Sequence, residues 1–133
     1  MQLDHVNAHL QEEDPSRMLL QSFDAVGGVL QLAFVCDGGP REDEAFLVQF
    51  KNVAIMHLPA VLHESVRFSL APLRDVGSLV PACSFDEEEL SGAKGAYQVV
   101  LLTNAAGKPH GYYLAAESVT ASWVPMKDCR GVW

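Results

Sequence analysis

The sequence predicts a mainly β protein: an antiparallel β-sandwich or partly open barrel, built from two similar hairpin-based halves with one or two short helices. Three observations carry this reading. Apolar runs are strand-length and end at Gly, Pro and Asn turn signals. Several alternate apolar with polar residues at period two. The runs follow one another at hairpin spacing with little helical periodicity between them, as in an antiparallel domain.

At the start, Leu3, Val6 and Leu10 recur at helical spacing. A short helix over residues 4–13 is expected, with Asp4 as a cap and Asp14-Pro15 as its end. From Met18 to Phe23 the period becomes that of a strand, and Gly27-Gly28 turns it. Leu30, Leu32, Phe34 and Cys36 then share one face of the next strand. The polar loop from Asp37 to Glu44 leads into a return strand, Ala45–Phe50. Lys51-Asn52 interrupts that strand, and Val53–Leu58 continues it to Pro59.

The next strand, Glu64–Leu70, has Val66, Phe68 and Leu70 facing inward and Ser65, Arg67 and Ser69 facing water. Ala96–Thr103, the turn Asn104–Pro109, and the strands Gly111–Ala116 and Ser118–Val124 complete the chain. One domain spans residues 1–133, a length that buries roughly two-thirds of its unfolded surface.

The two halves echo each other over residues 18–59 and 84–125. Ser22-Phe23-Asp24 recurs 62 residues later at Ser84, Gly28 recurs 67 later at Gly95, and Val53 recurs 66 later at Val119. Five residues are thus inserted between the Ser-Phe-Asp and the Gly of the second half, and Glu87-Glu88-Glu89 lie among them. In both halves a bend is expected, near Lys51-Asn52 and near Glu117-Ser118, of the bulge or strand-corner kind.

The net charge is −8. An acidic chain repels nucleic acid and anionic membrane, and it suits a basic protein partner. Cys36, Cys83 and Cys129 form no CxxC pair, which indicates reduced thiols in a cytosolic protein. Residues 1–5 have neither the basic nor the apolar region of a signal peptide, and no apolar run reaches membrane-spanning length.

Motifs for chemistry are weak. Asp86-Glu87-Glu88-Glu89 is a poor calcium site, because four adjacent carboxylates cannot converge on one ion. Ser84 and Glu87 instead have the capping-box spacing of a short helix that Ser91-Gly92 would end. His5 and His9 share a helical face, but Val6 stands where a zinc protease has Glu. No G-x-S-x-G elbow and no phosphate loop is present. The sequence therefore points to no cofactor, no metal and no catalytic residue.

The pieces His5-Val6-Asn7-Ala8, Phe50-Lys51-Asn52-Val53 and Val119-Thr120-Ala121 give the layout an outline that resembles small bacterial β-rich proteins, among them some toxin-immunity families. That resemblance implies no catalytic residue. It implies an acidic binding surface, since many such toxins are basic nucleases.

The reading that results is a non-enzymatic cytosolic binding protein, immunity-like or regulatory. Its expected contact residues for a basic protein partner are Glu42, Asp43, Glu44, Asp86, Glu87, Glu88 and Glu89. Glu12-Glu13-Asp14 forms a third acidic cluster. A solvated face that only confers solubility would have the same composition. The first alternative is a small-molecule carrier or barrel enzyme with an apolar cavity lined by Phe34, Phe46, Phe50 and tyrosines. The second is a homodimer of structural role, joined through apolar strands.

Overall fold

The computed structural model describes residues 1–71 and 97–129. In chain order these form helix α1 (Asp4–Glu13) and strands β1 (Arg17–Asp24), β2 (Val29–Val35), β3 (Glu44–Lys51), β4 (Ile55–His57) and β5 (Val61–Leu62). Strands β6 (Arg67–Ala71), β7 (Gln98–Thr103), β8 (Pro109–Ala116) and β9 (Ser118–Pro125) follow, and then a single 3-10 turn, Met126–Asp128. Asp86, Glu87, Glu88, Glu89, Cys83, Trp133 and the expected helix after Ser84 lie outside the described residues.

The strands make two antiparallel sheets, a five-stranded one in the order β5-β1-β2-β3-β9 and a four-stranded one in the order β4-β8-β7-β6. The arrangement is a β-sandwich with one short helix, as the strand-length apolar runs predict. Met18, Leu30, Leu32, Phe34, Phe46, Val48 and Phe50 of the first sheet meet Phe68, Val100, Leu102 and Leu114 of the second in one core. Phe68 lies edge-on to both Phe34 and Phe50, with ring centroids 5.9 and 5.5 Å apart. Burying each such ring stabilises the fold by about 1.5–3 kcal/mol.

The two sheets are joined by a shared corner. Strand β3 pairs with β9 from Glu44↔Pro125 to Lys51↔Ser118. The same two stretches of chain then turn and continue as β4 and β8, from Ile55↔Ala115 to His57↔Tyr113. The ladder is stitched through the bend by Glu117 N–H to Lys51 O (3.1 Å) and Ala54 N–H to Ala115 O (2.9 Å). Asn52 takes the left-handed conformation there, at φ 54°. Its amide donates to the Glu117 carboxylate at 2.6 Å. The interruption at Lys51-Asn52 and the matching break at Glu117 are thus one structural event, in which two paired strands change sheet together.

About this corner the sheets correspond. In the first the order runs β1-β2-β3-β9, and in the second β6-β7-β8-β4. The place that β1 holds beside β2 is held beside β7 by β6, which precedes residue 84 in the chain.

The β1–β2 turn is packed into the corner. Gly28 has φ +64°, and its carbonyl accepts the Val53 N–H at 2.8 Å. A Cβ on Gly28 would lie 3.2 Å from Asn52 Cα and from Val53 N.

Helix α1 closes the side of the sandwich beside β6. Its core-facing residues are Val6 and Leu10, with Leu3 just before them. Asp14 ends it in a left-handed conformation, with its N–H on Leu10 O, ahead of Pro15. The N-cap is Leu3 rather than Asp4, and it makes no side-chain cap. Asp4 instead sits in the first turn, where the helix dipole favours a carboxylate.

Asn7 binds the edge of β6. Its Nδ2 donates to Phe68 O at 2.7 Å, and its Oδ1 accepts the Phe68 N–H at 2.9 Å. A strand residue would exchange the same two bonds with an antiparallel neighbour. The side chain therefore stands in for one residue of a missing strand.

Two details differ from the sequence reading. Leu70 was expected inward with Val66 and Phe68, but it is 43% exposed, because it lies past the point where α1 covers β6. Strand β5 pairs with β1 over only two residues, too short for a period to show.

Replacing Asn7 with Ala leaves two buried backbone groups of Phe68 unpaired, at a cost of about 1–3 kcal/mol. Asn7→Asp keeps the acceptor but loses the donor. Denaturant titration should place both variants below wild type, and an Asp variant as stable as wild type would refute the two-bond role. Gly28→Ala should lose about 1–2 kcal/mol from its left-handed backbone alone, read as a lower unfolding midpoint.

Candidate functional site

Among the described residues, the strongest concentration of charge lies at the end of the sandwich where α1 stops and β2 turns into β3. Three segments supply it: Glu12-Glu13-Asp14, Asp37, and Glu42-Asp43-Glu44. Arg41 is the hub. It pairs with Glu44 through Nη1 and approaches Glu13 through Nε at 3.9 Å. Arg17 approaches Asp37 at 3.8 Å. Among these described side chains, two guanidiniums stand against seven carboxylates.

The guanidinium of Arg41 also lies over the Trp123 ring, 4.4 Å from its centroid. Trp123 packs against Phe46 (5.1 Å between centroids) and donates its indole N–H to His9 Nδ1 at 3.3 Å. His9 stacks on Phe46 at 4.9 Å and meets His5 edge-on at 4.8 Å. The two imidazoles do share a helical face, as their spacing predicts, but His9 Nδ1 accepts from tryptophan and is not a free ligand atom. Among the described residues no three His, Cys, Asp or Glu side chains are grouped to hold a metal ion.

Of the residues expected to meet a partner, Glu42 and Asp43 are exposed in the β2–β3 connection and Glu44 begins β3. Asp86 and Glu87–Glu89 cannot be placed, because they lie outside the described residues. The expectation missed the part played by Glu12, Glu13 and Asp14. The structure brings them to the same end, and only the tertiary docking of α1 reveals it.

Cys36 borders this end. Its Sγ lies 3.7 Å from Glu13 O. Burial pushes its thiol pKa above the usual value, and the charges of Glu13, Asp14 and Asp37 push the same way. Burial, then Asp128, does the same to Cys129. Thiolates are the reactive form, so both are shielded thiols that pack as small apolar groups.

Among the described residues, the nearest approach to an acid–base constellation is His110 with Glu64. Nδ1 of the ring lies 2.8 Å from Glu64 Oε2, and Nε2 lies 3.0 Å from Ser65 O. The second nitrogen thus faces a backbone carbonyl and not a nucleophile. Ser65 donates its hydroxyl to Asp14 at 3.0 Å. The set ties α1, the β5–β6 connection and β8 together, and its geometry is that of a lock.

Phe34, Phe46 and Phe50, which the carrier alternative assigns to a cavity wall, are at most 2% exposed and fill the core. A groove of about 420 Å³ lies between the start of α1 and β6, lined by Met1, Gln2, Leu3, Asp4, Asn7 and Phe68–Leu70. It presents the Asp4 carboxylate and the Ser69 hydroxyl, with no histidine or cysteine in its lining. Among the described residues no helix is long and apolar enough to cross a membrane. Comparison of the chain with protein families, with curated proteins and with solved structures found no match to any of them.

The thiols give a direct test. At neutral pH, Cys36 and Cys129 should react with a thiol reagent only after the chain is unfolded. The pH dependence follows in sign. Both groups hold their protons more tightly when folded than the ordinary value of 9.0. Above about pH 9 the unfolded chain releases those protons first, so stability falls as pH rises from there. Unfolding midpoints measured from pH 7 to 10 check this.

Proposed function

We propose that this chain is a non-enzymatic binding protein of the cytosol, immunity-like or regulatory, whose acidic end receives a basic protein partner. The convergence of Glu12-Glu13-Asp14 with Asp37 and Glu42-Asp43-Glu44 supports this reading most strongly. Two stretches of chain, the end of α1 and the β2–β3 connection, supply like charges to one end, where their repulsion lowers stability. Arg41 offsets part of that cost and is itself held on Trp123.

A surface of this kind attracts a positively charged protein over long range and raises its association rate. Nucleic acid and anionic lipid, being polyanions, are repelled by it. The outline resemblance to immunity proteins points the same way, because their targets include basic nucleases.

Glu12, Glu42 and Asp43 are exposed and suit charge reversal. The variant E12K/E42K/D43K should fold with an unfolding midpoint at or above that of the wild type, because it relieves the repulsion at this end. In capture from host extract, the wild type should retain a basic protein that salt releases, and the variant should not. Equal capture of the same proteins by both chains at every ionic strength would sink the proposal.

A further inference from the structure

Among the described residues the two sheets have four edges, formed by β5, β4, β6 and β9. Strand β5 is two residues long and β4 is three. The edge of β6 is bound by Asn7. Strand β9 is different: it runs for eight residues and keeps an unbroken register with β3. It carries no charged residue, and none of its eight residues is fully buried. Among the described residues no strand lies on its outer side. Long, regular, uncharged edges are templates for pairing with another chain, and proteins ordinarily blunt them with charge, bulges or cover.

We infer that the outer edge of β9 is a self-association site, at which a second copy of this chain pairs its own β9 antiparallel across a two-fold axis. This stands apart from the acidic end and does not rest on it. Three observations favour a second copy as the occupant.

First, β9 is neutral in a chain of net charge −8, so two copies can meet here without opposing like charges in the strand itself. Second, antiparallel pairing sets the Asp43–Glu44 ends of the two copies at opposite ends of the seam, so the two acidic ends do not face each other. Third, the core-facing residues of β9 fit each other. With Ala121 on the axis, Val119 of each copy lies opposite Trp123 of the second copy, and Thr120 lies opposite Ser122. Apolar–aromatic and hydroxyl pairs of this kind favour antiparallel pairing. Val119, Ala121 and Trp123 pack against the core but remain partly exposed, so the added strand would complete their burial.

The test is the mass of the chain in solution. Light scattering after size exclusion, over a concentration series, should show the wild type at about twice 14.5 kDa. Thr120 and Ser122 are exposed on the outer face, so T120K/S122K and T120E/S122E should fold normally. Each variant alone sets like charges opposite one another and should run at the mass of one chain. An equimolar mixture sets opposite charges together and should regain the doubled mass.

A wild type that stays at one chain mass throughout overturns the proposal, and so do folded variants that remain dimeric. If a double variant fails to fold, hydrogen exchange on the wild type decides. Protection of the β9 amides that rises with concentration supports the proposal. Exchange independent of concentration overturns it, as does protection gained only when an extended peptide of another sequence is added.

Discussion

Two strands that stay paired while changing sheet are the constraint on which the rest of this fold depends. At the corner, β3 and β9 hand over to β4 and β8 without breaking their ladder. Only one residue, Asn52, leaves the ordinary backbone regions there, and its amide is held by Glu117 across the bend. Because both strands turn together, the first sheet is placed on the second at one end and no separate hinge sets their spacing. The phenylalanine core then fills the fixed gap. The β1–β2 turn packs against the bend through Gly28, so that a local turn and a tertiary corner share one set of backbone contacts.

Much of this was legible in the residues. The helix ends at Asp14-Pro15 because proline cannot continue it. The turns at Gly28 and Asn104 are set by a glycine with positive φ and by a side chain that caps two backbone N–H groups. The corner was legible as a polar break inside an apolar run at Lys51-Asn52. What stayed hidden was tertiary. Glu64 and His110 lie far apart in sequence, and no local rule pairs them. Nothing in Glu12-Glu13-Asp14 announces that these residues will stand beside Asp37 and Arg41. Leu70 has the right parity to be buried, yet burial also requires a neighbour, and the cover over β6 ends before it reaches that residue.

The acidic end and the aromatic patch are coupled through Arg41. One face of its guanidinium meets the Trp123 ring, and its nitrogens meet two carboxylates. Trp123 in turn holds His9. The chain ending α1, the connection leading into β3 and the last strand are therefore joined at one side chain. Electrostatics and packing meet at this point, so a change in either would be felt in the other.

The docking of α1 has a consequence for the order in which the protein is made. The helix is synthesised early, but the backbone that Asn7 binds comes 61 residues later, and the indole that binds His9 comes 114 residues later. At ordinary rates of translation the second interval lasts about 6 to 23 seconds. A ten-residue helix is marginal on its own in water. Phe46, on which His9 packs, lies in β3, so the helix has no ring to dock on until that strand has been made. Its contacts are complete only when Trp123 on β9 has been made, so the first element and the last strand close the fold together.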